Sequence, residues 1–171
     1  MQDATPDLWV FAYGSLMWRP GFPFADVMPA RLTGWHRRFC IASRIHRGTH
    51  RRPGLVLGLD RGGMTDGLAY RVAAQDAVAV RNYLRVREQS SGIYREARVK
   101  ICLLGAERSD QRALVYLSEP AHPGFTRRVP VQRQAHIIAG ANGGSGANVD
   151  YLISTLAELK RLGIRERELE R

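Results

Sequence analysis

Lysine is nearly missing from this chain: Lys100 and Lys160 are the only two in 171 residues, so the formal net charge of +10 is carried by arginine. The arginines are scattered, apart from Arg37-Arg38, Arg51-Arg52 and Arg127-Arg128. No run of them is interleaved with aromatics, as a single-stranded nucleic-acid groove requires. The pattern suits a solvated basic surface that draws in small anions and argues for no nucleic-acid partner. A basic nucleic-acid-binding module is the competing class, and steep salt dependence would mark it. Cysteine is as scarce. Cys40 and Cys102 both sit in apolar, strand-like segments. That fits small buried hydrophobes in a reducing, cytoplasmic compartment better than a disulfide or a metal site. Long hydrophobic runs are lacking too, so no segment reads as a bilayer span and no membrane partner is expected. The start, MQDATPDLWVF, has no basic stretch followed by an apolar one, which excludes a visible secretory signal.

Metal and nucleotide motifs are equally absent. His36, His46, His50, His122 and His136 form no HExxH pair, and His46 and His50 lie in a basic stretch without a nearby carboxylate or thiolate. Neither Ser15 nor Ser145 has the Gly-x-Ser-x-Gly frame of a hydrolase elbow. The glycine-rich segment Gly140 to Asn148 has no Lys-Ser or Lys-Thr after Gly144-Ser145-Gly146, so it is no P-loop, and it lacks the dinucleotide fingerprint. Two readings remain for it: a loop with an N-cap, or N–H groups at a helix start near an anionic ligand.

What is present is an ordinary globular composition, 44% hydrophobic and 25% charged, at a length that suits one domain over 1–171. Leu8 to Tyr13 reads as a buried first strand ending in the turn Gly14-Ser15. Arg31 to Ser43 reads as β, with Gly34 marking a bulge or bend. His46 to Pro53 reads as a loop, Gly54 to Leu59 as a strand, Asp60 to Asp66 as a turn on its two glycines, and Gly67 to Val72 as the next strand. Ala77, Val80 and Leu84 share one face of a helix over Gln75 to Arg87, with Asp76 suiting its start. Strands near Tyr94 to Leu104 and Arg112 to Leu117 follow, then a proline-bearing connection from Pro120 to Pro130. Gly140 to Asn148 reads as a flexible lead-in with Asn148 as N-cap. Val149, Leu152, Ile153, Leu156 and Leu159 mark a closing helix stopped by Gly163. Strict βα alternation is missing, so the fold class is α+β, around a curved, mostly antiparallel or mixed sheet.

Two places could carry chemistry. In Tyr13-Gly14-Ser15-Leu16-Met17-Trp18, Gly14 permits a sharp turn or close approach, and successive N–H groups can cradle a carboxylate or oxyanion. The same residues also describe an ordinary strand-to-loop turn with packed aromatics. Glu88 falls where its helix gives out. It is either a carboxylate buried beside a cleft or a surface ion-pair partner of Arg85 or Arg87.

Taken in order, the motifs resemble the ChaC-like family of glutathione-specific γ-glutamylcyclotransferases. Phe11-Ala12-Tyr13-Gly14-Ser15-Leu16-Met17-Trp18-Arg19-Pro20-Gly21-Phe22 is similar to its N-terminal signature. Ser43 to Gly48, Pro53 to Val56, Gly67 to Val72, Tyr83-Leu84 with Arg87-Glu88, Gly92-Ile93-Tyr94, and Ala139 to Asn148 with Tyr151-Leu152 follow. Ala12 stands where many members have glycine, and a strand tolerates the extra methyl. The resemblance implies a γ-glutamylcyclotransferase-like fold, a barrel-like sheet with flanking helices. It implies cyclisation of the γ-glutamyl group of glutathione to 5-oxoproline with release of Cys-Gly, or the same chemistry on another γ-glutamyl compound. Glu88 would be the general base. The segment Phe11, Ala12, Tyr13, Gly14, Ser15 and Leu16 would bind substrate, Tyr116 would face it, and Arg44 or Arg47 would meet its glycyl carboxylate. The resemblance implies no metal or organic cofactor.

Overall fold

The computed structural model describes residues 6–105, 107–167 and 169–170; residues 1–5, on which the reading of the leader partly rests, lie outside them. Among the described residues five strands close into a barrel: β1 (Leu8–Ala12), β2 (Asp26–Ser43), β3 (Gly54–Val72), β4 (Tyr94–Leu104) and β5 (Arg108–Ser118). Their order around it is β1-β3-β2-β4-β5. The pairings are antiparallel except the closing one, where β1 runs parallel to β5 with Trp9 opposite Ala113. The α+β expectation with a mixed, barrel-like sheet holds, and closure leaves few bare edges.

Alternation along the strands supplies two cores. Phe11, Leu32, Leu59, Ile101, Val115 and Leu117 meet inside the barrel. Val10, Leu57, Tyr70, Leu114 and Tyr116 face outward against three helices: α1 (Ala77–Glu88), α2 (Val131–Gly140) and α3 (Asn148–Arg161). Buried on both faces, β1 reads as a near-continuous apolar run. Val80 and Leu84 are the buried stripe of α1, as their spacing predicts. Glu96 of β4 clamps that helix from the side: Arg85 Nε donates to it at 2.9 Å and Arg81 Nε at 2.8 Å, and the Tyr116 hydroxyl adds a longer bond at 3.3 Å.

Several expectations from sequence are corrected. Asp60 to Asp66 is no turn. β3 runs through it, and Gly62 and Gly63, both at positive φ, oppose the single residue Gly34 where the register slips between Thr33 and Trp35. The glycines there serve a bulge that bends the long β2–β3 hairpin, and bulge and turn ask for the same residue. β2 begins at Asp26 rather than Arg31, and β5 at Arg108 rather than Arg112, because partner strands extend opposite them. Helix α2 follows Pro130 where no helix was expected.

The Gly140–Asn148 lead-in is tied down rather than flexible. Asn142–Gly143 and Gly146–Ala147 form a small ribbon whose tip donates from Gly144 N–H to Ile45 O at 2.7 Å and from Ser145 N–H to His46 O at 2.8 Å. Asn148 does not cap α3. Wholly buried, its amide accepts from Leu55 N–H at 2.7 Å and donates to Leu55 O at 2.8 Å, bonds a neighbouring strand would otherwise make. Asn148→Ala strands both buried backbone groups, at about 1–3 kcal/mol each. It is therefore expected to lower unfolding free energy by roughly 2–4 kcal/mol, read from the urea midpoint at unchanged m-value.

The stop of α3 follows expectation. Gly163 adopts φ +68°, and Ile164 N–H reaches back to Leu159 O at 2.9 Å.

Candidate active site

The turn after β1, the β2–β3 connection, the last turn of α1 and the residues leading into β4 enclose a cleft of about 760 Å³. Ser15, Arg44, Arg47, Glu88, Tyr94 and Tyr151 are among its walls. Helix α1 points its final residue, Glu88, into this space, with the side chain only 16% exposed. Burial pushes the Glu88 carboxyl above the ordinary carboxylate range, and the Arg87 cation, Nε 3.2 Å from Oε1, opposes that push. Of the two sequence readings, Glu88 as a buried cleft carboxylate and Glu88 as an ion-pair partner, the geometry supplies both at once.

Arg87 is the residue that composition and spacing did not single out. Its Nη1 donates to Arg19 O at 2.6 Å and Pro20 O at 3.1 Å, and its Nη2 to Ser15 Oγ at 3.1 Å. One guanidinium thus straps the turn after β1 to the end of α1 while facing Glu88. Gly21, at φ +72°, lets the 19–21 loop lie close over α1: a Cβ there would meet the Tyr83 hydroxyl at 2.2 Å.

Around the glycine turn three phenols converge. Tyr13 donates to Tyr116 O at 2.7 Å and Tyr94 to Leu57 O at 2.9 Å, while the Tyr151 hydroxyl accepts from Leu57 N–H at 3.3 Å. Burial first, and then the nearby Glu88 charge among others, raise the Tyr13, Tyr94 and Tyr151 hydroxyls well beyond neutral pH, so they stay protonated donors. The Tyr151 proton has no acceptor among the described residues, and this hydroxyl lies 3.5 Å from where a Gly14 Cβ would be. Gly14 itself turns the chain with φ −133° and ψ −135°. Buried Arg37 fixes the turn from behind, its Nε donating to Tyr13 O at 2.6 Å and its Nη1 to Glu166 at 2.6 Å.

The other expected site residues divide. Ser15 and Arg44 line the cleft. Phe11, Ala12 and Leu16 are buried in the two cores and shape the turn without lining the cleft. Tyr13 lies beneath the turn. Tyr116 is buried with its hydroxyl on Glu96 and is not in the cleft wall. Arg47 is partly engaged, donating to Ala147 O at 3.1 Å and sitting over the Tyr151 ring. Tyr94 and Tyr151 occur in the recognised motifs but were not named as site residues. Their aromatic type suited a core equally well, and only the fold shows where the hydroxyls go. Among the described residues no group of three or more His, Cys, Asp or Glu side chains could hold a metal ion, and no helix is long and apolar enough to cross a membrane.

The fold is that of the γ-glutamylcyclotransferases. A yeast γ-glutamylcyclotransferase specific to glutathione matches 96% of this chain and 95% of its own, with a TM-score of 0.83 at 26% identity. The glutathione-specific γ-glutamylcyclotransferase of Escherichia coli K12 is 36% identical over 93% of this chain and 68% of its own length. Glutathione-specific γ-glutamylcyclotransferase 1 of Homo sapiens is 36% identical over 94% of this chain and 73% of its own. The family model described as ChaC-like protein matches residues 8–171, and the chain belongs to the ChaC-like family.

Proposed function

We propose that this chain is a glutathione-specific γ-glutamylcyclotransferase with Glu88 as its general base and acid. The observation that carries the mechanism is a shielded carboxylate of raised pKa in a cleft whose wall includes Ser15 of the turn after β1. In glutathione the α-amine can attack the γ-carbonyl of its own glutamyl residue and close a five-membered lactam, so no external nucleophile is needed. The protein's task is to fold the substrate back on itself and relay protons from the attacking nitrogen to the departing one. The amine arrives as ammonium. Glu88 takes a first proton, and the new C–N bond forms as the carbonyl becomes an oxyanion. Glu88 passes that proton to the cysteinyl nitrogen, and the old C–N bond breaks as the oxyanion collapses. Glu88 then carries the second proton from the ring nitrogen to the released amine, giving 5-oxoproline and Cys-Gly as its ammonium. A carboxyl raised toward neutrality suits both transfers.

In this reading the turn that Gly14 and Leu16 shape presents Ser15, with its backbone N–H, to the glutamyl carboxylate or the oxyanion, and the uncommitted Tyr151 proton adds a neutral donor. Phe11 and Ala12 anchor the strand that aims the turn. The Tyr116 carbonyl holds the Tyr13 hydroxyl beneath it. Arg44 stands in the cleft wall with no carboxylate partner among the described residues, ready for the glycyl carboxylate. Purified protein incubated with glutathione is expected to yield 5-oxoproline and Cys-Gly in equal amounts. Absence of both, from folded protein, would remove the proposal. Within it, Arg44→Glu is expected to raise KM for glutathione about tenfold or more, since a charge-assisted bond contributes roughly 1.5–3 kcal/mol, with kcat within about threefold. Parent-like KM would take the role from Arg44.

A further inference from the structure

The β2–β3 connection has a second side. Arg44, Arg47 and His50 face the active cleft. Arg51 and Arg52, next along the same loop, wall a separate cavity of about 420 Å³ between the barrel and α2, completed in part by Leu55, Thr126, His136 and Ile137. The volume lies in the range of small-molecule pockets. No carboxylate lines it.

Three features make it more than a gap. Thr126 Oγ1 is a buried side-chain oxygen without a hydrogen-bond partner, a group that costs free energy unless something fills its need. The Thr126 backbone is held on both sides, N–H to Cys40 O at 2.7 Å and O to Arg38 Nη2 at 3.2 Å, so the residue stays at the cavity wall. The Arg52 guanidinium, in turn, is packed onto Gly140 at the end of α2: a Cβ on Gly140 would lie 2.3 Å from Nη2 and 3.0 Å from Cζ. A helix C-terminus favours a cation there, and among the described residues Arg52 forms hydrogen bonds through its backbone alone, with Thr49. Lastly, Arg51 and His136 add donors from the loop and from α2, while Leu55 and Ile137 give an apolar wall.

We propose that this cavity is a second anion site, which takes the carboxylate or phosphate group of a small molecule whose apolar side rests on Leu55 and Ile137. Arg52 and Arg51 meet the oxyanion, and Thr126 gives its hydroxyl proton to it. A planar guanidinium offers paired donors that fit either oxyanion. The site plays no part in the cyclisation chemistry, so its test does not depend on turnover.

The experiment is a titration of ¹⁵N-labelled protein at constant ionic strength, with inorganic phosphate in one arm and propionate in the other. Saturable amide shifts at Leu55, Thr126 and Ile137 are expected in at least one arm, and the stronger arm identifies the preferred oxyanion. Arg51→Ala/Arg52→Ala is expected to weaken that binding at least tenfold, while Arg44→Ala, which alters only the active cleft, leaves it unchanged. Gly140→Ala keeps every charge but displaces the Arg52 guanidinium, and is expected to weaken binding at least threefold. That separates a built site from general attraction to a basic surface. Shifts confined to Ser43–Arg47, no saturation in either arm, or unchanged affinity in the double variant or in Gly140→Ala would each overturn the assignment.

Discussion

Glu88→Gln is expected to fold as the parent does and to cyclise glutathione at least about 10³-fold more slowly, within the range ascribed to loss of a positioned acid–base group. Glutamine matches glutamate in size and can keep a contact with Arg87, so stability should be close to the parent's, but it cannot accept the ammonium proton. The parent's kcat/KM should fall at low pH, with its acid limb above the ordinary carboxylate value of about 4.3. The sign follows from the role. The base works ionised, burial raises the Glu88 pKa, and activity is therefore lost as pH drops through that raised value. The residual activity of Glu88→Gln should lack this limb. A folded Glu88→Gln protein with parent-like 5-oxoproline release would remove Glu88 from the chemistry while leaving the family membership untouched.

How much of this was legible beforehand varies with the physics of each residue. β1, the buried face of α1 and the Gly163 stop could be read, because apolar period and a left-handed glycine are local signals. The turn at Gly14 and the position of Glu88 at a helix end could also be read, but not that the two face one cleft. That depends on barrel closure, which brings β1 beside β5 and lays α1 across the outer face of the sheet. Gly62 and Gly63 misled because a bulge and a turn call for the same backbone freedom. Asn148 misled because its amide satisfies a strand 93 residues away in sequence rather than its own helix. Tyr116 was placed in the right region with the wrong outlook: β5 alternation turns its ring outward toward α1, and Glu96 takes its hydroxyl.

Arg87→Leu is the second large effect. The side chain joins three carbonyl or hydroxyl acceptors on the turn after β1 to the end of α1, so its loss is expected to loosen Ser15 relative to Glu88. Misplacement of about 1 Å in such a constellation can cost on the order of 100-fold in rate, and a kcat loss of that size is expected. The charge has a separate consequence. Arg87 holds the Glu88 pKa down against burial, so without it the pKa rises further and the acid limb of kcat/KM moves to higher pH. Arg87→Lys divides the two roles. An ammonium restores a nearby positive charge, returning the limb toward the parent's pH, but a single point cannot span Arg19, Pro20 and Ser15 as a planar fork does, so kcat stays low. A purely structural arginine would behave otherwise: Arg87→Leu would lower kcat or stability while the limb stayed where it was. Profiles that coincide for parent, Arg87→Leu and Arg87→Lys would show that Glu88 is tuned by something other than the neighbour that precedes it in the chain.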